Sequence, residues 1–285
     1  MRQAITLSAL GLGTTSPNPP VGCVILDQRG AVVGAGFHRR KGEPHAEAHA
    51  LNAARGAARG GTAVVTLEPC NHVGVTPACR QELINAGVSR VVIAVMDPTS
   101  RGEGGASMLA AAGVEVETDV LRNEALTVLE PWLTATVRRR PYLTWAFAAE
   151  GGHQSAAEKR LLLDLRANAD LVLEGKTVDE GIPGGHAKAH FALPGDADIG
   201  AGLSQWLSAA YEGGARRVLV VGREHGAALR PHLHAVDEIV VSLLRTDSSH
   251  SLEVVYPDLT PTDFRLVEVA AHADSLTSRM RRLRV

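Results

Sequence analysis

The chain predicts an α/β protein in two parts, on three observations. Two short β-rich runs, residues 21–26 and 31–34, flank Asp27-Gln-Arg-Gly30, whose turn residues close an antiparallel hairpin. After the hairpin, apolar strand-like runs alternate with Ala- and Leu-rich helical stretches. A second alternation begins near Arg140-Pro141, with no internal repeat linking the halves. A hairpin followed by alternating strands and helices describes a mixed sheet covered by helices.

In chain order, residues 2–12 have helical character and end in Gly11-Leu-Gly13. Residues 45–54 form a helix with Gly56 near its end, and residues 62–67 a buried strand. Residues 77–86 form a helix that Gly87 closes, with Thr76 as N-cap and Pro77 at the first helical position. Strands follow at 91–96 and, after a small helix, at 114–117. The second part reads as strand 142–148, helix 156–167 and strand 171–174. Gly, Pro, His and Asp then dominate residues 181–202, a long exposed loop. Helix 203–211, strand 217–221, helix 226–234 and strand 237–243 complete it. The expected domains are 1–139 and 140–285.

Composition narrows the function classes. The chain has 285 residues, 45% of them hydrophobic, with 29 basic against 31 acidic and a net charge of −2. That balance gives no reason to expect a nucleic-acid partner. Two basic clusters, Arg138-Arg139-Arg140 and Arg279 to Arg284, read as solvated helix or tail ends. No apolar run is long enough for a bilayer, and the N-terminal segment is too broken for a signal peptide, so a cytoplasmic protein without membrane partner is expected. Three cysteines, Cys23, Cys70 and Cys79, are too few and too odd in number for a disulfide framework.

The chemistry concentrates in His45-Ala-Glu47, Pro69-Cys70 and Cys79. One imidazole and two thiolates supply three ligands of a tetrahedral zinc site whose fourth position is left for water. Glu47, two residues from His45 at a helix start, reaches such a water without being a ligand. In zinc nucleobase deaminases the metal activates water and a neighbouring glutamate shuttles protons. The commonest pattern there separates the cysteines by two residues; here eight, Asn71 to Ala78, intervene, and the insertion would hang over the site. A lone His-x-Glu occurs often by chance, but the four residues in this order on these elements favour zinc. Cys23, inside an apolar strand, is expected in the core.

Ser16-Pro-Asn-Pro-Pro-Val-Gly-Cys23, Gly36-Phe-His38, Gly42-Glu-Pro-His-Ala-Glu47, Thr66-Leu-Glu-Pro-Cys-Asn-His72, Thr76-Pro-Ala-Cys79 and the stretch from Arg90 to Asp97-Pro98 resemble the bacterial riboflavin-biosynthesis deaminase/reductase (RibD) family. The resemblance runs from about Arg2 to Leu121. It implies a cytidine-deaminase-like three-layer α/β/α domain with a mixed sheet, followed by a dihydrofolate-reductase-like α/β domain, here shortened. It also implies a small-molecule substrate, a diamino-ribosylamino-pyrimidinone 5′-phosphate deaminated to the aminouracil, and Zn2+ as cofactor. By matching position, Asn18 would bind the pyrimidine, and His38, His72 and Thr76 would line the substrate site. Val75 stands where the family usually has Arg, and Thr99 where it usually has Asn.

Traces of the reductase survive in Arg140-Pro-Tyr142, Leu165 to Asp170, Gly175-Lys-Thr-Val178 and Val236-Asp-Glu238. Its working residues do not: the family's first-strand Lys aligns with Ala146, its Ser-Leu-Asp-Gly segment with Glu150 to His153, its aspartate pair with Gly181-Ile182, and its late Glu-Gly-Gly with Val221-Gly-Arg223. No dinucleotide fingerprint compensates, since Gly11-x-Gly13 and Gly34-x-Gly36 lack the third glycine and the helix. NADPH is therefore not expected as a cofactor, and the second domain is expected to serve packing or pairing, with a homodimer as the partner arrangement. Three rivals stay open: a related pyrimidine or pterin as substrate, a reductase site rebuilt from other residues, and a non-catalytic regulator. Intact Glu47 argues against the last. His186 and His190, four apart, suggest a second metal site only weakly, because loop histidines are ordinarily solvated.

Overall fold

The computed structural model describes residues 1–72, 77–99, 104–148, 156–195, 199, 202–244, 263–271 and 275–283. The chain divides into two compact units, Met1–Leu133 with His186–His190, and Thr134–Gly185 with Phe191–Val285.

In the first unit, β1 (Gly22–Leu26) and β2 (Val32–Phe37) form the antiparallel hairpin. β1 pairs antiparallel with β3 (Thr62–Leu67). β3, β4 (Arg90–Val95) and β5 (Glu115–Glu117) run parallel, so the sheet order is β2-β1-β3-β4-β5. β3 and β4 are buried almost throughout, as strands covered on both faces must be. On one face α2 (Ala46–Ala54), α3 (Cys79–Ala86) and α4 (Gly105–Ala111) enclose Cys23, Ile25, Val65, Leu83, Ile93 and Leu109. On the other, α1 (Arg2–Ala9) and α5 (Arg122–Arg138) pack Ile5, Leu129 and Trp132 against Leu67 and Val95. The result is three layers with a mixed sheet, and Cys23 lies wholly in the core.

Gly34 and Gly36 set the position of α2. A β-carbon at Gly34 would sit 2.1 Å from the Ala50 carbonyl oxygen, and one at Gly36 would sit 2.5 Å from His49 Cβ. Only glycine lets the helix that carries Glu47 lie directly on β2. These two glycines are packing contacts.

The second unit has a seven-stranded sheet, ordered β11-β12-β10-β6-β9-β7-β8. β6 (Tyr142–Ala148), β7 (Leu171–Glu174), β9 (Arg217–Val221) and β10 (Glu238–Leu244) are parallel. β8 (Thr177–Glu180), β11 (Phe264–Ala271) and β12 (Ser275–Arg282) are antiparallel additions at the two edges. α6 (Ala156–Ala167) covers Val172, Leu219 and Val240 on one face; α7 (Leu203–Glu212) and α8 (Gly226–Leu229) cover the other, with Trp145, Leu173, Val220 and Ile239. Both units are thus α/β.

Several expectations change. The helix expected over 226–234 is α8 followed by a 3-10 turn, Arg230–Ala235, that is non-helical at His232, because Pro231 removes an amide donor. α5, β8, β11 and β12 went unread. The arginine clusters are only in part solvated ends: Arg138 and Arg139 are exposed at the end of α5, but members of both clusters hold buried acids. Arg138 and Arg140 bind the buried Asp237 at 2.6 and 2.7 Å. Arg279 and Arg281 lie on β12 and reach the buried Glu238 at 3.7 and 3.1 Å. Arg284 and the segment from Glu150 to His153 lie outside the described residues. The described residues of the loop 181–202 are partly buried rather than all exposed, with His186 and Phe191 both sequestered.

Candidate metal centre

Three short transitions bring the site together. His45 is the N-cap of α2, Cys70 follows β3 by three residues, and Cys79 opens α3. Their ligand atoms all lie within 4.8 Å of one another. His45 Nδ1 faces the sulfurs, 3.2 Å from Cys79 Sγ and 3.7 Å from Cys70 Sγ.

The start of α3 corrects the sequence reading. The helix begins at Cys79 with Ala78 as N-cap, not at Pro77, and Thr76 lies outside the described residues, as does Val75. No side chain caps it in the ordinary way. Instead the Cys79 N–H donates to Cys70 Sγ at 3.3 Å, so the ligand sulfur takes a donor that the helix leaves unpaired. The positive end of the helix favours a thiolate there.

The electrostatics fit a cation. Hydrogen bonding from the Cys79 thiol, with further help from His45 and the Cys79 N–H, holds the Cys70 thiol down at about 4 against the effect of burial. Cys79 is pushed the other way, by its hydrogen bond to Cys70 and by burial. The hydrogen bond that the His45 N–H donates to the Cys70 sulfur raises His45. Two sulfurs and an imidazole nitrogen contending for protons are the donor set zinc takes, and a zinc ion would relieve that competition. Among the described residues this is the one such group of three; His186 is buried, His190 is exposed, and they form no second cluster.

Glu47 stands in the first turn of α2 and is only 3% exposed. Burial raises its carboxyl to about 7, with His45 and a hydrogen bond involving Cys79 opposing. His38 packs edge-on against His45, ring centroids 5.2 Å apart. Burial lowers its imidazole to about 4, so it is neutral near pH 7. Its Nε2 meets Asn18 Nδ2 at 3.1 Å. His38 thus touches the ligand His45 directly, and Asn18 reaches it only through His38. His72 is exposed, and its carbonyl oxygen lies 3.9 Å from Cys70 Sγ. Two further residues went unread: Lys41, which donates to Asn18 Oδ1 at 3.1 Å, and Arg80, which binds Asn71 of the inserted loop. Lys41 sits in the charged run Arg39-Arg40-Lys41, which from sequence looks like a solvated face.

A mixed-sheet α/β/α unit with one His, two Cys and a buried Glu beside them defines a zinc-dependent deaminase. Residues 1–95 match the cytidine and deoxycytidylate deaminase zinc-binding region. The chain is 47% identical over 126 residues to the diaminohydroxyphosphoribosylamino-pyrimidine deaminase of Buchnera aphidicola subsp. Schizaphis graminum, covering 44% of this chain and 85% of that protein. It is 44% identical over 176 residues to the riboflavin biosynthesis protein RibD of Mycobacterium tuberculosis, 57% of this chain and 52% of that one. It thus spans about half the length of the curated RibD proteins it matches. The diaminohydroxyphosphoribosylaminopyrimidine deaminase/5-amino-6-(5-phosphoribosylamino)uracil reductase of Thermotoga maritima superposes with TM-score 0.82 at 25% identity, over 99% of this chain and 97% of that one. The chain belongs to the RibD family.

Proposed function

We propose that the first unit deaminates diaminohydroxyphosphoribosylaminopyrimidine to 5-amino-6-(5-phosphoribosylamino)uracil, in riboflavin biosynthesis. The observation that carries this reading is the buried Glu47 beside the His45, Cys70 and Cys79 cluster. When bound, zinc supplies the Lewis acid that makes water nucleophilic. Glu47 takes the proton from the attacking water and returns protons to the ring nitrogen and the departing ammonia. A carboxyl near pH 7 suits both directions of that transfer. His38, neutral, cannot compete as a cation for the ligands. Asn18 binds the pyrimidine ring, and His38, His72 and Thr76 line the substrate site.

The second unit in this reading is not a reductase, and domains 1–139 and 140–285 divide the work between chemistry and packing. The lost motif residues support it, as does Trp145, which donates to the Gly222 carbonyl at 2.9 Å and packs on Phe147 at 4.4 Å. The exposed Leu266 and Val269 on edge strand β11 accord with a homodimer. No helix among the described residues is long and apolar enough to cross a membrane, and ligand thiols favour the reducing cytoplasm.

The test is ammonia release by zinc-loaded protein on that pyrimidine, with and without NADPH. Ammonia without NADPH oxidation is expected. Zinc-loaded protein that releases none would move the substrate to another ring, and NADPH oxidation on the deaminated product would restore the reductase.

A further inference from the structure

Lys41 is half-buried between β2 and α2, and its Nζ donates to Asn18 Oδ1 at 3.1 Å. On the other side of the amide, Asn18 Nδ2 faces His38 Nε2 at 3.1 Å. The remaining ring nitrogen, His38 Nδ1, lies 3.1 Å from the Pro44 carbonyl oxygen. A carbonyl only accepts, so the ring proton is on Nδ1 and Nε2 is left as an acceptor. An ammonium only donates. Asn18 thus has neighbours of opposite polarity, and each demands the same one of its two amide orientations. A flipped amide would set N–H groups against the ammonium and an oxygen lone pair against that of Nε2. The observed orientation engages one N–H and one lone pair of Asn18, and leaves one of each for a ligand.

We propose that Lys41 is a positioning residue of the deaminase site: with His38 it fixes the polarity of the Asn18 amide, and so sets which donor–acceptor order on a heterocycle edge the site accepts. This rests on the deaminase reading of the first unit. A ring edge in the opposite order meets donor against donor, the mismatch that polar sites reject most strongly.

The experiment uses the full zinc-loaded chain with Lys41→Met, Lys41→Arg, Asn18→Ala and the Lys41→Met/Asn18→Ala double variant. For ammonia release from the diaminopyrimidine phosphate, Lys41→Met should lower kcat/KM about tenfold, as loss of one hydrogen bond to a charged group does. Lys41→Arg should recover most of it, and Asn18→Ala should cost far less in the Lys41→Met background than alone. Losses that simply multiply, or an unchanged Lys41→Met, would overturn the proposal. Nitrogen-15 NMR of His38 in the substrate-free proteins gives a second decision. The Nε2 signal should shift in Lys41→Met as the amide is released, and an unmoved signal would also overturn it. If wild type releases no ammonia, the deaminase reading of this substrate fails, while the NMR comparison still decides the role of Lys41.

Discussion

The metal centre of the first unit and the core of the second treat buried charge in opposite ways. In the first, the three ligand residues lie together, His38 packs on His45 and Asn18 meets His38, and burial leaves Glu47 and His38 with shifted protonation. In the second, three buried acids, Asp237, Glu238 and Asp170, are tied to backbone or to arginine. Asp237 accepts from Arg138, Arg140 and the Leu143 N–H. Glu238 takes Arg281 and Arg279, and Asp170 takes the N–H groups of Arg216 and Arg217. Buried polar groups cost free energy unless paired. A unit that leaves them poised keeps them for chemistry, whereas a unit that neutralises them in place uses them as staples.

Breaking the first arrangement should have the largest effect. Glu47→Gln should reduce ammonia release about 10³-fold, the usual scale for a lost general acid–base, while zinc content measured by mass spectrometry stays at one per chain. Full activity, or loss of the metal, would remove Glu47 from its role. Cys70→Ser and Cys79→Ser should instead lose the zinc.

Breaking a staple should cost stability without chemistry. Asp237→Ala removes the shared acceptor of Arg138, Arg140 and the Leu143 N–H, for about 3 kcal/mol. Denaturant unfolding followed through Trp145 and Trp206 should show the loss, with kcat for deamination unchanged. A catalytic defect without a stability change would reverse the assignment.

The pH dependence sharpens the contrast. The folded-state pKa of Glu47 is raised, from 4.5 to about 7. The folded protein therefore holds this proton more tightly than the unfolded chain, and the corresponding stability is present below pH 4.5 and lost as pH rises through 7. In zinc-free protein, Glu47→Gln should gain on wild type by roughly 2–3 kcal/mol between pH 4 and pH 8. Equal pH slopes would show that the carboxyl is not desolvated. Smallest of all, NADPH should leave the unfolding midpoint unchanged, and a rise with concentration would reveal a nucleotide site in the second unit.

The sequence alone determined the hairpin, the alternation of strands and helices, and β3, β6, β7 and β9 almost to the residue, because each is a continuous apolar run bounded by turn residues. It also carried the four-residue constellation, since zinc chemistry demands fixed residue types at helix and strand ends. Tertiary structure decided the rest. β12, Ser275-Leu-Thr-Ser-Arg-Met-Arg-Arg282, has too little apolar character to announce a strand. It becomes one because its register sets Arg279 and Arg281 beside Glu238, a partner some forty residues away in sequence. The start of α3 moved to Cys79 because the Cys70 sulfur supplies the cap that a local reading sought in Thr76. Lys41 could be told from a solvated lysine only once Asn18, 23 residues earlier, lay within hydrogen-bonding distance. Local pattern encodes backbone conformation and apolar burial, both short-range properties of the chain; the pairing of buried polar groups is set by residues that only the fold brings together.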